Sequence, residues 1–318
     1  MRDILTVIAG VLILVLAAAL AVPPFVAWEA HREALDRALS EAAGTPARTE
    51  GRIDVRLLPS PRVRVEQLRL GTGRADAPSL SASFVRAEVA LTPLLRGDVR
   101  FTETRIGRAE IRVPTAPDGA WRLPPEAVFG DALRRDWAFE DLRVGQLLVT
   151  TVTPTTGRTD QFFAETVRIE GQTLAGPWRV DGMTAGVPFR LSTGELAPDR
   201  TVQVKLAGGG GDHPRFDIDA RIALAAGEGG ATPGVAGAAK ILFGPPAQVA
   251  AAGIPIPVAI QTAFKTSGGA LELDTLSLEA GEGGASLRLA GSGAMHLDEP
   301  SLALKREGRR LDVDSFLL

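Results

Sequence analysis

The residues best suited to chemistry are scattered along the chain. The three histidines, His31, His213 and His296, lie far apart, and none stands in an H-x-x-x-H or H-E-x-x-H setting. Those settings place two ligands on one helix face, so their absence leaves no histidine metal motif. An isolated histidine is most often a surface or turn residue. We predict no metal site and no histidine catalysis.

Two pairs of carboxylates have a spacing that could be functional. Asp217 and Asp219 are two residues apart, as are Asp312 and Asp314. Side chains two apart lie on the same face of a strand, where they could hold a cation or act as an acid and a base. The simpler interpretation is a charged, solvent-facing strand surface, and we favour it.

Glycine-rich strings at 208–211, 227–230 and 281–284 raise the question of a phosphate-binding loop. None is followed by Gly-Lys-Ser/Thr, so turns between strands are the better interpretation. The chain has no cysteine, which excludes disulfides, thiolate ligands and a cysteine nucleophile. It also has no G-x-S-x-G motif. We therefore predict no catalytic, metal-binding or cofactor-binding residue, and a protein that is not an enzyme.

Composition argues against a nucleic-acid partner. Lys and Arg number 35 against 38 Asp and Glu, for a net charge of −3, and no basic block stands out. Aromatic residues are 5% of the chain, and tyrosine is absent. Base-stacking surfaces are therefore not expected.

The N-terminus is predicted to be a membrane anchor. Residues 4–26 carry no charge, and such a run can cross a hydrocarbon core of about 30 Å as a helix. The alternatives are a signal peptide cleaved near Ala19-Leu20-Ala21 and a buried core helix. A signal core is usually about 7–15 residues, shorter than this run. We assign residues 1–28 to the anchor, with the short tail inside and the bulk of the chain outside.

An amphipathic helix is predicted at 29–44, with Gly44 as its C-terminal stop. It could lie on the membrane surface or pack on the sheet that follows. Apolar residues at Trp28, Leu35, Leu39 and Ala42 recur at helical spacing. Packing on a sheet is the commoner arrangement.

Beyond residue 45 the apolar period changes to two, which predicts strands with one apolar face. The alternating segments lie at 53–57, 63–66, 85–91, 111–113, 216–224, 271–278, 287–289 and 302–304. Short helical stretches are expected only at 93–96 and 125–135. We predict a mainly β fold, divided into a β domain at 45–225 and a continuing β section at 226–318. The Gly, Ala and Pro-rich segment 225–257 is either a long loop or a boundary. Alternation leaves a barrel, a sandwich and a groove open.

Several strings resemble the N-terminal part of the AsmA family. LLPSPRVRVE at 57–66 and LRLG at 68–71 resemble the opening signature of the family. PSL at 78–80 and VALTPLLRGDV at 89–99 resemble its next block, a strand leading into a helical turn. Ile106 and EIRV at 110–113 resemble the closing strand. The order of anchor, helix and strands agrees as well.

The resemblance implies a single-pass inner-membrane protein of Gram-negative bacteria with its β domain in the periplasm. It also implies a long bent antiparallel sheet, similar to that of repeating-β-groove bridge proteins, whose apolar floor carries phospholipid acyl chains. Family members are linked to outer-membrane assembly and protein targeting. The expected partners are thus the membrane, phospholipid and an unidentified envelope protein. The residues expected to line the groove are Val63, Val65, Val85, Val89, Leu91, Phe216, Ile218 and Ile222.

One departure concerns length, because family members are usually longer and this chain stops at the apolar sequence 314–318. A truncated product, a split product and a short paralogue are the alternatives. The leading hypothesis is a lipid-handling groove in outer-membrane biogenesis. The second is a non-enzymatic assembly or scaffold factor for outer-membrane proteins, and the third is a periplasmic enzyme.

Overall fold

A computed structural model describes most of the chain between residues 27 and 310. The described residues are 27–56, 60–74, 77–94, 96, 100–114, 138–152, 157–173, 175–199, 201–211, 213–223, 234–243, 257–267, 270–280, 287–296 and 301–310. Residues 1–26 of the predicted anchor 1–28, the helical stretch at 125–135, two glycine strings and the C-terminal residues 311–318 lie outside them. Within the described ranges, no helix is long and apolar enough to span a bilayer.

The predicted amphipathic helix is confirmed and packs on the sheet. A 3-10 turn, Trp28–His31, leads into helix α1, Arg32–Ala43. Gly44 ends the helix in the left-handed conformation, with φ 66°. Glycine is favoured there because it has no Cβ to clash. A second short helix, α2 (Leu91–Leu94), begins two residues before the predicted 93–96 turn.

The described strands form one open sheet of fifteen strands arranged in chain order. They are β1 (Ala47–Arg56), β2 (Arg62–Leu70), β3 (Ser79–Val89), β4 (Arg100–Pro114), β5 (Ala138–Val152), β6 (Thr159–Gly171), β7 (Trp178–Thr184), β8 (Val187–Thr193), β9 (Thr201–Gly210), β10 (His213–Ala223), β11 (Gly234–Leu242), β12 (Val258–Ser267), β13 (Ala270–Ala280), β14 (Leu287–His296) and β15 (Ser301–Arg310). The prediction of a mainly β chain with few helices is confirmed.

One pair of strands departs from the predicted antiparallel arrangement. β4 and β5 run parallel, with Ile106 opposite Val144. Parallel neighbours need a crossover of about a dozen residues or more, and residues 115–137 separate these two strands. Alternation within a strand is the same for both pairings, so the sequence pattern could not reveal this pair.

Two further predictions need correction. Leu91 does not continue β3, which ends at Val89; it begins α2, and its side chain is 37% exposed. Thr92-Pro93 follows Leu91, and a proline in the next turn favours helix entry over a paired strand. The soft segment 225–257 contains β11, which pairs with β10 and β12. Small residues in β11 hid the strand pattern, although they allow close packing.

The sheet has one apolar and one charged face. On β10, Ile218 lies between Leu206 of β9 and Ala239 of β11. Asp217 and Asp219 point to the opposite side and are exposed. Because cross-strand partners share a face, the same apolar side continues from strand to strand.

A row of backbone irregularities crosses the first six strands at one height. Gly51, Phe84 and Thr166 have positive φ angles of 77°, 55° and 48°. Gly107 lies beside Phe84, and a Cβ on Gly145 would lie 2.7 Å from the carbonyl oxygen of Gly107. Bulges bend a strand and increase its twist, so aligned bulges bend the whole sheet along a line.

Ring contacts indicate that the sheet curves toward its apolar face. The rings of Phe162 in β6 and Phe189 in β8 have centroids 6.1 Å apart, and those of Phe139 in β5 and Trp178 in β7 are 6.2 Å apart. Each pair spans two strand spacings, about 9.5 Å in a flat sheet. The core cluster lies on this face, where Ala164 and Val167 are 0% and 1% exposed.

Candidate functional site

Seven of the eight predicted lining residues lie on the apolar face. Val65 pairs with Val85, and Val63 lies opposite Ala87, so these side chains cover the face of β2 and β3. Val89 alternates with Ala87 and lies opposite Phe101. The remaining residues, Phe216, Ile218 and Ile222, lie on β10. The structure places the two groups on one face but separates them by β4–β9, and it excludes Leu91 from the strands.

Sequence reasoning missed the best-buried part of the face, which lies between these two groups. The core there is built from β4–β6, with Ala109, Val144, Ala164 and Val167 buried. Packed against them are Ile106, Leu142, Leu147, Ile169, Val180 and Phe189. The alternation is broken at Gly145, so Val144 and Leu147 share a face although they are three residues apart. A pattern search that lets the apolar alternation skip one residue at a glycine would have identified β5.

A pocket of about 1080 Å³ lies at one rim of the sheet, and its lining includes residues of both faces. It is formed where β4, β5 and β7 begin and where β6 and β8 end, with α2 on one side. Its lining combines aromatic rings and charges. Its lining residues include Arg96, Arg100, Phe139, Glu140, Glu170, Gly171, Thr173, Trp178, Arg179 and Thr193.

The opposite face is covered by ion pairs. Glu88 accepts hydrogen bonds from Arg86 and, at 3.2 Å, from Arg62, and its side chain is 17% exposed. The hydrogen bond from Arg86 is the main reason that the pKa of Glu88 lies below its usual value, despite partial burial. The pKa of Asp141 is also lowered, chiefly by the hydrogen bond from Arg143 and further by the charge of Arg168.

This arrangement predicts an acid-dependent contribution to stability from Glu88. Its carboxylate is more acidic in the folded state, so the stabilisation is present above the usual carboxyl pKa of 4.5 and is lost as the pH falls through the lowered value. Glu88→Gln should therefore lower the free energy of unfolding at pH 7, and the difference from wild type should shrink in acid. Unfolding curves from pH 7 to pH 3 would measure this.

Glu110→Gln is the matched control for that experiment. Glu110 pairs with Arg108 at 2.8 Å, but its side chain is 48% exposed, so its loss should cost less than about 1 kcal/mol. A Glu88→Gln cost that stays constant down to pH 3 would contradict the electrostatic explanation.

The carboxylate pair at 217 and 219 behaves as the charged outer face that we favoured. Both side chains are exposed, and Asp219 pairs with Lys205 at 3.2 Å. Asp312 and Asp314 lie outside the described residues. In the part of the chain that is described, no cluster of three acidic or histidine side chains is placed to hold a metal ion.

Comparison with known proteins adds one match. The chain has no significant match among curated proteins or solved structures. The model of the AsmA family matches residues 1–126, a range that includes α1 and β1–β4. The N-terminal portion of the chain is therefore similar to the AsmA family, which confirms the resemblance that its sequence motifs predict.

Proposed function

We propose that this chain is an inner-membrane-anchored periplasmic protein that binds phospholipid acyl chains on its apolar face and acts in lipid transport during outer-membrane biogenesis. The observation that carries the proposal is the continuous apolar face, which no second layer of described residues covers along β2–β14. Soluble proteins rarely expose a large apolar surface unless it binds something. We propose no catalytic role.

The dimensions of the face suit several acyl chains. Fifteen strands give 14 spacings, about 67 Å along the sheet at about 4.8 Å each. One acyl chain spans about 15 Å, half of a hydrocarbon core of about 30 Å. The face is thus several chains long, which supports binding of more than one lipid per protein.

The order of elements supports anchoring next to β1. Residues 4–26 form the uncharged run. The 3-10 turn Trp28–His31, which follows this run, contacts β1, and so does α1. An anchor ahead of Trp28 would hold the β1 end of the sheet near the membrane. The apolar face of the sheet would then begin at the bilayer that supplies the lipid.

A second candidate, an assembly or scaffold factor, is favoured by a separate feature on the charged face. Phe84 is 72% exposed. Its backbone has a positive φ of 55°, a conformation that is energetically costly for a bulky residue. Arg52, Arg64 and Arg86 surround it. An exposed aromatic ring among arginines is typical of protein-binding surfaces.

The test of the lipid proposal is native mass spectrometry of the full chain, extracted from membranes with a mild detergent and followed by lipid extraction. We expect more than one phospholipid per chain to be retained after detergent removal in the gas phase. A folded chain that carries no phospholipid would overturn the proposal and favour the scaffold function.

A further inference from the structure

We propose that the charged face of β1–β3 binds an acidic segment of a partner protein, with Phe84 and Arg64 as its main contacts. This face lies on the opposite side of the sheet from the proposed lipid-binding face, so the inference goes beyond the proposed function and does not depend on it. We call this region the Phe84 surface. Its residues line one cavity of about 280 Å³, and they are Arg52, Asp54, Arg64, Glu66, Phe84 and Arg86.

Strand register places all six residues on the charged face. The apolar face of the same strands is marked by Ile53, Val65 and Val85, which lie opposite one another on β1, β2 and β3. Each member of the Phe84 surface is the sequence neighbour of one of these three residues. Successive side chains of a strand point to opposite faces, so the six residues share one face over three adjacent strands.

The ring of Phe84 is held in an exposed position. Its φ of 55° is costly for a bulky side chain, and a ring that is 72% exposed gains little from burial to offset that cost. The ring lies beside Gly107 of β4, where a Cβ would be 3.2 Å from Cδ2 of Phe84. A partner protein could cover this ring, and aromatic residues are enriched among those that contribute most to binding.

A row of arginines crosses the charged face beside Phe84. The row occupies β2–β6, and its members lie directly opposite one another: Arg64, Arg86, Arg105, Arg143 and Arg168. Like charges on neighbouring strands repel, so such a row is stabilised by carboxylates beside it. Four of the five arginines have one, in the pairs Arg86–Glu88, Arg105–Glu103, Arg143–Asp141 and Arg168–Asp141.

Arg64 is the exception, and it lies at the Phe84 end of the row. It is exposed, and its guanidinium group forms no ion pair or hydrogen bond with any described residue. The carboxylates nearby are engaged elsewhere. Asp54 lies 3.9 Å from Arg56, and Glu66 accepts a hydrogen bond from the Arg52 amide at 3.0 Å. A carboxylate from another molecule would give Arg64 the partner that the other four arginines have.

The strands around the Phe84 surface carry an excess of positive charge. β1–β4 contain eleven arginines and six acidic residues, which gives a net charge of +5. β5 and β6 contain two arginines and five acidic residues, which gives a net charge of −3. The positive charge is thus concentrated on the strands that include the Phe84 surface, and charge complementarity favours an acidic partner there.

The spacing of the contacts fits an extended polypeptide. Phe84 and Arg86 are two residues apart on β3, about 7 Å, and Arg64 lies opposite Arg86. An extended peptide repeats its side chains on one face at the same interval. An apolar residue could therefore pack on Phe84 while an acidic residue two positions away contacts Arg64. A flat bilayer fits less well, because a sheet that curves toward its apolar face has a convex charged face.

The test uses a fluorescein-labelled peptide, GESFSEG, in which phenylalanine and two glutamates alternate with serine. Its dissociation constant for the full chain, purified in a mild detergent, is measured by fluorescence anisotropy. Arg64→Ala should weaken binding about tenfold because charge-assisted hydrogen bonds are lost. A glutamine peptide, GQSFSQG, should bind wild type about tenfold more weakly for the same reason.

Phe84→Gly separates binding from folding. Glycine adopts a φ of 55° without strain, so this variant should unfold at a temperature at least as high as wild type does. Its affinity for GESFSEG should nevertheless fall about tenfold, because the aromatic contact is lost. The matched controls are Phe163→Ala and Arg112→Ala. Both side chains are exposed and lie outside the Phe84 surface, so both variants should bind the peptide as wild type does.

Three results would overturn the inference: no binding of GESFSEG, equal binding by Phe84→Gly and wild type, or an equal loss in either control. None of them would affect the lipid proposal, because no readout involves the apolar face. A second assay mixes phosphatidylglycerol vesicles with the full chain held in phosphatidylcholine nanodiscs. Binding to these vesicles that is lost in Phe84→Gly, together with no binding of the peptide, would assign the surface to an anionic membrane instead.

Discussion

A Leu206→Glu variant is expected to fold but to lose at least half of its bound phospholipid. Leu206 lies on the apolar face of β9, between Leu191 of β8 and Ile218 of β10. It is only partly buried, so the substitution should cost less than the replacement of a core residue such as Val167. A carboxylate at this position would have to be buried beneath an acyl chain, which is strongly unfavourable.

Phospholipid per chain, measured by lipid extraction from the purified full chain, is the readout for this variant. Gln203→Glu is the control because it adds the same charge to the same strand, on the exposed face opposite Arg221. Circular dichroism would establish that both variants are folded. If Leu206→Glu retained the wild-type amount of lipid, the apolar face of β9 would not be a lipid-binding surface.

An Asp36→Ala variant is expected to lose about 2–3 kcal/mol of unfolding free energy and to self-associate. Asp36 of α1 accepts hydrogen bonds from the Thr49 amide at 2.9 Å and from the Thr49 hydroxyl at 2.6 Å. Thr49 is 3% exposed, so alanine at position 36 leaves two buried donors without their acceptor. Each unsatisfied buried group costs about 1–3 kcal/mol.

The association follows from the position of this contact on an edge strand. α1 uses side chains where another strand would use its backbone: Arg32 donates to the carbonyls of Thr49 and Gly51 at 2.6 Å, and the Ser40 hydroxyl accepts from the Ala47 amide at 2.8 Å. Loosening α1 would expose an unpaired strand edge, which tends to pair with other chains.

Thermal unfolding and analytical ultracentrifugation of the full chain in detergent would measure both effects. Asp36→Asn keeps a carbonyl oxygen at the accepting position and should recover most of the stability. A wild-type melting temperature for Asp36→Ala would show that α1 is not needed to cover β1.

Much of the fold could be predicted because most strands keep strict alternation. β10 is an example: Phe216, Ile218 and Ile222 are spaced by two or four residues, and all lie on one face. The helix at 29–44 could be predicted because Gly44 marks its C-terminal end. These signals are local, so a single sequence contains them.

What could not be predicted depends on contacts between distant segments. The irregularities at Phe84 and Thr166 need left-handed backbone at residues that disfavour it, so residue type gives no warning. The rim pocket is lined by both Arg96 and Trp178, although they lie 82 positions apart in the chain. Only the order and register of the strands bring them together.

Among the described strands, the one parallel pair, β4 and β5, reverses the direction of every later strand relative to a simple meander. As a result β4 and β5 begin side by side at the same rim. No hairpin turn closes the sheet there, because a hairpin joins the end of one strand to the beginning of the next. The rim pocket lies at this place, beside Arg100 and Ala138. The reversal also makes β15 end at the rim where β1 begins, opposite the pocket. One change of strand direction thus makes the two rims of the sheet unlike: the pocket lies at one rim, and the described chain ends at the other.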